Sequence, residues 1–363
     1  MTPCWLYILS TALSLSNSNV SRPAFLNSIF QTVWVDPLLQ LSRSGGDDDV
    51  VIPLRWLPTA GCLAVSVLVD EQFRYLAVVD TGSPFLTAPA DIVRCCTRSE
   101  SKYPPTIEQY GETAGTITWR KARQVLVGGT RSFKSCRIGI VTDELRQDTG
   151  GLFCGLIWKD DTRPTFLQQA QYSSFAIDYT ARTLTLHSNM QSELSKDDGD
   201  VLDMYDLSPF GPDLYHYAVK ATAMTISTDQ GDFPILASDD DSTTTTTTTS
   251  RPIVVVIDTG LTGCILSDSF VNDGCLPVPV TSIQGVRLRV GSDTGPSSTI
   301  PSSSRVVLSS EDKYCNLSCF RLPWFYKEED HPHIVAVGAT FLRECKIEIA
   351  AKERKIRFHN LQS

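Results

Sequence analysis

Two aspartates in this chain sit where an unpaired charge is costly. Leu76-Ala77-Val78-Val79 delivers Asp80 into a Thr81-Gly82-Ser83 turn, and Ile253-Val254-Val255-Val256-Ile257 delivers Asp258 into Thr259-Gly260-Leu261 about half a chain later. A carboxyl behind four or five aliphatic residues ends a buried strand, so it needs donors or a second carboxyl to share its proton. Two carboxyls at about 3 Å cannot both ionise. One then keeps a proton and acts as acid while the other acts as base toward a shared water. The glycines, Gly82 and Gly260, let backbone approach the carboxyls and donate amides to them.

The Asp-Thr-Gly tripeptide also occurs at Asp148 and Asp293. Those follow Leu145-Arg146-Gln147 and Val290-Gly291-Ser292, which are not continuous apolar strands, so they read as ordinary turns. Two strand ends need a sheet-rich scaffold to bring them together. From Cys62 onward the pattern is of short strands, at Leu63 to Leu68, Tyr75 to Val79, Thr116 to Trp119, Gln124 to Val127 and Cys136 to Val141, punctuated by Gly and Pro. No long helical period interrupts them, so the expected class is all-β. At 363 residues the chain is long for one core and suits two lobes of about 150 residues each.

These features resemble the pepsin-like aspartic proteases over roughly residues 60 to 360. In each lobe of that family the aspartate loop is followed by a second apolar strand ending in a glycine step that threads beneath it. Leu152-Phe153-Cys154-Gly155-Leu156 matches the first, Val335-Ala336-Val337-Gly338-Ala339-Thr340-Phe341-Leu342 the second, and Lys346 to Phe358 resembles the closing strands. The resemblance implies a bilobal all-β fold in which each lobe supplies one Asp-Thr-Gly loop to a central cleft. It implies Asp80 and Asp258 as the catalytic dyad, with Thr81 and Thr259 bonding across to the opposite loop. It also implies that Ser83 bonds the outer oxygen of Asp80, a donor that Leu261 removes from the second loop. That loss predicts a less acidic optimum than that of pepsin. Tyr110-Gly111 matches the flap that covers substrate, and Thr87 stands where relatives have a supporting tryptophan. Phe85, Tyr110, Thr87 and Tyr215 to Val219 are expected to line the cleft.

The implied activity is aspartic endopeptidase with a polypeptide substrate, no cofactor, no metal, and a monomeric state because both aspartates come from one chain. The rival expectation is a non-catalytic binding or inhibitor protein on the same fold. A net charge of −9 argues against nucleic acid. No run of eighteen apolar residues predicts a membrane anchor. His331-Pro332-His333, without ligands at metal spacing, reads as a polar loop, and no GxSxG elbow, HExxH helix or phosphate-binding loop occurs.

Residues 1-22 are expected to be a signal or targeting segment, because Trp5 to Leu15 is mostly apolar and too short to span a bilayer. Entry to the secretory pathway follows, with a plastid as the alternative. Residues 23-50 read as a linker or short prosegment, 51-180 as the first lobe and 181-363 as the second. Within the latter, 238-251, with Thr243 to Thr249 unbroken, is a low-complexity surface loop. Eleven cysteines predict disulfides, with Cys154 as a core thiol.

Overall fold

The computed structural model describes residues 6–8, 49–58, 60–90, 98–99, 103–110, 113–141, 152–159, 165–188, 201–211, 215–236, 251–291, 306–310, 317–320 and 331–360. Both aspartate strands are assembled in the same way. Phe73–Asp80 pairs antiparallel with Cys62–Val69 on one side and parallel with Phe153–Gly155 on the other, setting Asp80 opposite Gly155. Ile253–Ile257 pairs antiparallel with Ala218–Thr228 and parallel with His333–Val337, setting Ile257 opposite Val337. A strand flanked on both sides and covered on both faces has no solvent face to alternate toward. Accordingly, all five residues of Ile253–Ile257 are buried, which explains the unbroken aliphatic run.

Among the described residues, four sheets organise these strands. In the first half, the sheet of Phe73–Asp80 lies beside a second one containing Thr106–Tyr110, Thr113–Lys121, Arg137–Val141 and Thr87–Pro89. Leu6–Ile8, within the expected leader, pairs parallel with Thr106–Tyr110. The second half is an eight-stranded sheet. Between the halves runs a six-stranded sheet that draws Val50–Pro53, Ser174–Asp178 and Thr183–His187 from the first and Val201–Asp203, Cys345–Ala350 and Lys355–Asn360 from the second. One apolar core spans all three regions, including Val79, Phe175, Ile349 and Val335. The architecture is all-β and bilobal, and the described helices, Phe166–Ala170, Ser269–Asn272 and Ala339–Leu342, are single turns or little more.

The expected strands fall where the apolar alternation put them, within a residue or three at each end. Several expectations need correction. Just ahead of Val50–Pro53, the Asp49 carboxylate bonds His187 Nδ1 at 2.8 Å and the Ser188 amide at 3.2 Å. His333 belongs to no polar loop: it is fully buried, bonded through Nδ1 to Ser269 Oγ at 2.9 Å and stacked on Phe270. Among the described residues no group of His, Cys, Asp or Glu could hold a metal ion.

The expected disulfides have no counterpart in the first half's described cysteines, since Cys62, Cys136 and Cys154 are free and buried. Burial pushes the thiols of Cys62 and Cys136 up to about 12 and that of Cys154 higher still. Tyr215 to Tyr217 precede the entry strand, which begins at Ala218. Asp148, Asp293, Gly111 and residues 238–250 lie outside the described residues. Among the described residues, no helix is long and apolar enough to cross a membrane.

Candidate active site

The two loops are locked to each other by their threonines. Thr81 Oγ1 donates to the Ile257 carbonyl at 2.7 Å and accepts from the Thr259 amide at 3.0 Å. Thr259 Oγ1 donates to the Val79 carbonyl at 2.7 Å and accepts from the Thr81 amide at 3.0 Å. Each hydroxyl therefore satisfies one buried acceptor and one buried donor of the opposite loop. Losing either would orphan two backbone groups, each worth about 1–3 kcal/mol when left unpaired.

This lock sets the distance between the aspartates, and the glycines make it attainable. A Cβ on Gly82 would stand 2.7 Å from Asp258 Oδ2, and one on Gly260 would stand 2.6 Å from Asp80 Oδ1. Each glycine thus clears room for the other loop's carboxyl. The Gly82 amide donates to Asp80 Oδ1 at 2.7 Å and the Gly260 amide to Asp258 Oδ1 at 3.1 Å.

Beneath the loops the two apolar threads close the floor. The Leu156 amide donates to the Asp80 carbonyl at 2.8 Å, and the Ala339 amide donates to the Leu261 carbonyl at 2.8 Å. Side chains cannot occupy these crossings. A Cβ on Gly155 would lie 2.4 Å from Ser83 O, and one on Gly338 2.1 Å from Leu261 O.

Asp80 and Asp258 have no solvent-exposed surface, and each stands within reach of the other loop's glycine. Burial raises both. For Asp80 the carboxyl of Asp258 and the amides of Gly82 and Gly260 oppose the rise. For Asp258, burial is reinforced by the negative charge of Asp80, against which the amides of Gly260 and Leu261 pull weakly. Two carboxyls so raised and so close hold one proton between them, and the titration belongs to the pair.

The other expected site residues divide. Tyr110 ends the strand Thr106–Tyr110, which pairs antiparallel with Thr113–Lys121 and sets Tyr110 opposite Thr113. Ser83 is buried, but its Oγ makes no hydrogen bond, so the expected bond to Asp80 is absent. Phe85 is 1% exposed and does not line a surface: it packs edge-on against Trp119, ring centroids 4.8 Å apart, among Ile117, Val141 and Phe153. Thr87 is likewise fully buried, with its Oγ1 accepting from the Phe153 amide at 2.7 Å, and it props the thread, not a flap.

Three contacts were not anticipated from sequence. Tyr217 OH donates to the Leu156 carbonyl at 2.6 Å and accepts from the Trp158 amide at 2.9 Å, stapling the second half to the first half's thread. Thr262 Oγ1 donates to the Ala60 carbonyl at 2.6 Å, beside Cys62 Sγ, which lies 3.4 Å from the Gly260 carbonyl. His216 is buried beside the Gly82 backbone, which opposes the downward push of burial on its imidazole. The available signal was a polar or aromatic residue just before a strand that pairs with an aspartate strand, which says nothing about what that residue reaches.

Sheets and paired loops of this kind define a pepsin-like bilobal fold. The solved structure of basic 7S globulin from soybean is similar to the chain at a TM-score of 0.54, covering 86% of this chain and 96% of that one, with 10% sequence identity. Likeness at that identity concerns the fold alone. No protein-family model matches the chain, and no curated protein matches it.

Proposed function

We propose that the protein is an aspartic endopeptidase that hydrolyses peptide bonds through a water activated by Asp80 and Asp258. The observation that carries this reading is the pair of fully buried carboxyls, each packed against the opposite loop's glycine on two loops tied through reciprocal threonine bonds. Nothing in the packing of a structural core requires two carboxyls to be buried against each other without a cation.

In this mechanism the ionised Asp80 takes a proton from the water as it attacks the peptide carbonyl. Asp258 donates its proton to the carbonyl oxygen. Collapse of the tetrahedral intermediate returns a proton to the departing amine, and the products leave with the pair again sharing one proton. The Gly82 amide on Asp80 Oδ1 leaves Oδ2 open, and Asp258 Oδ2 is likewise without a partner. Those two oxygens are the ones available to the water. No cofactor takes part, and one chain supplies both carboxyls, so the working unit is a monomer. The apolar amino-terminal segment supports passage through the secretory pathway.

A second reading, a binding or inhibitor protein on the same fold, draws on one observation: neither carboxyl reaches solvent. The two readings separate in one experiment. Wild type and Asp80→Asn are incubated with a denatured protein and a peptide library between pH 3 and 7, with and without a statine-containing peptide. The protease reading expects cleavage by wild type that both the substitution and the statine peptide abolish. Absence of cleavage after trimming to about residue 49 would favour the binding protein.

A further inference from the structure

A closed ring of hydrogen bonds runs through both aspartate strands. The Asp80 carbonyl accepts from the Leu156 amide at 2.8 Å, and the Leu156 carbonyl accepts from Tyr217 OH at 2.6 Å. The Tyr217 carbonyl accepts from the Ile257 amide at 2.9 Å, and the Ile257 carbonyl accepts from Thr81 Oγ1 at 2.7 Å. Thr81 follows Asp80 in the chain, which closes the ring, and Asp258 follows Ile257. Side chains make two of these bonds. That of Thr81 has a mirror image in Thr259, and that of Tyr217 has none.

The register of the strands identifies what stands in the mirror position. Ala64 lies opposite Val78 and Ala218 opposite Val256, each pair set two residues ahead of an aspartate. Leu63 is therefore the counterpart of Tyr217. Leu63 is 1% exposed, Tyr217 is 2% exposed, and both belong to the apolar core. An aliphatic side chain thus satisfies the packing at this position in the first half, whereas a buried hydroxyl in the second brings a polar group that must be paired. Tyr217 was expected to line the cleft. Instead its ring lies edge-on to Phe175 of the sheet between the halves, centroids 5.8 Å apart.

The hydroxyl grips the first half's thread on either side of Ile157. It donates to the Leu156 carbonyl at 2.6 Å and accepts from the Trp158 amide at 2.9 Å. The same stretch of thread carries the first loop at two points, since the Leu156 amide holds the Asp80 carbonyl at 2.8 Å and the Ile157 amide holds the Ser83 carbonyl at 2.9 Å. A shift of the thread relative to the second half is therefore a shift of Asp80 relative to Asp258. The threonines fix the loops to each other at the residues after the aspartates, and Tyr217 fixes them from beneath.

We propose, resting on the protease reading, that Tyr217 is a positioning residue for the dyad: its hydroxyl ties the first half's thread to the backbone beside Asp258 and so holds Asp80 at its working distance. It touches neither substrate nor water. Its effect reaches the chemistry through Leu156 on one side and Ile257 on the other.

The test uses the full-length protein, a peptide substrate and two peptide probes, one containing statine and one identical except that it lacks the statine hydroxyl. That hydroxyl takes the place of the attacking water, so the ratio of the two Kd values reads the carboxyl pair and not the rest of the cleft. Wild type is compared with Tyr217→Phe, which removes one oxygen and keeps the ring, and with Ile226→Val, a core substitution farther along Ala218–Thr228. Tyr217→Phe is expected to lower kcat about 30-fold with KM within about threefold, and to shrink the hydroxyl's advantage about 10-fold. Ile226→Val is expected to lower the thermal midpoint and leave kcat and the ratio unchanged.

A hydroxyl that only stabilised the fold would lower the midpoint of Tyr217→Phe and leave its kcat and ratio at wild-type values. That result overturns the proposal and leaves the protease reading intact. If Tyr217→Phe fails to fold, Phe175→Leu, which removes the ring against which Tyr217 rests, decides: a ratio reduced about threefold supports the proposal, and an unchanged one overturns it. A wild type that neither cleaves peptide nor prefers the hydroxyl-bearing probe overturns both readings together.

Discussion

The loops at Asp80 and Asp258 are alike in everything that fixes position and unlike in what surrounds the charge. Both use threonine to bridge, with donor and acceptor distances of 2.7 and 3.0 Å repeated on each side. Both use glycine to clear space for the partner's carboxyl, and both rest on a thread whose own glycine sits under the loop. The residue after the glycine then departs from symmetry: Ser83 in one loop, Leu261 in the other. Leu261 is buried in an apolar cluster with Ala218, Val254 and Ile334. The Gly260 amide, moreover, serves both carboxyls, whereas that of Gly82 serves Asp80 alone. Position is thus symmetric, and the donors around the two carboxyls are not.

Removing either carboxyl should have the largest effect. Asp80→Asn and Asp258→Asn are each expected to lower kcat/KM by at least about 10³-fold, measured on a common peptide, since neither an acid nor a base acts alone. A variant retaining activity would end the two-role assignment.

Next come the cross-loop glycines. Gly82→Ala and Gly260→Ala each place a methyl within 3.0 Å of the opposite carboxyl. Each is expected to reduce kcat about 100-fold or more by spreading the pair, which steady-state kinetics would register. Unequal losses would show that one loop yields more easily than its mate.

The threonines test the symmetric part. Thr81→Ala and Thr259→Ala each orphan a buried carbonyl and a buried amide, so each is expected to cost about 2–5 kcal/mol in denaturant unfolding. Because the distances match, the two costs should agree within about 1 kcal/mol.

The asymmetric part appears in pH dependence. Asp80 is pushed to about 6 from 3.8, so the folded protein holds a proton that the unfolded chain has released. Stability from this group is fully present below pH 3.8 and is lost as pH rises toward 6, by about 3 kcal/mol. Asp80→Asn should flatten that slope in thermal midpoints taken from pH 3.5 to 7, and an unchanged slope would contradict the assignment of the raised group.

Much of this arrangement was legible in one dimension. Ile253–Ile257 is uniformly aliphatic because it has neighbours on both sides and cover on both faces, whereas the run before Asp80 alternates between half-buried and buried positions, and both patterns end in a buried carboxyl. The threads ending at Gly155 and Gly338 were legible for a related reason: backbone crosses backbone there, and only glycine fits. Ser83 and Phe85 were not legible. Serine after Asp-Thr-Gly looks the same whether or not its hydroxyl reaches the carboxyl, and an aromatic after the loop looks the same whether it faces a cleft or packs on Trp119.

By itself, then, the sequence determined the all-β class, the two aspartate strands, the glycine turns and the threads beneath them, since each is written as a local pattern of apolar and small residues. Tertiary structure decided which hydroxyls found partners, that His333 is core, and that Tyr217 reaches Leu156 and Trp158. A hydrogen bond depends on a fraction of an ångström between atoms far apart in the chain, and no spacing along the chain encodes it.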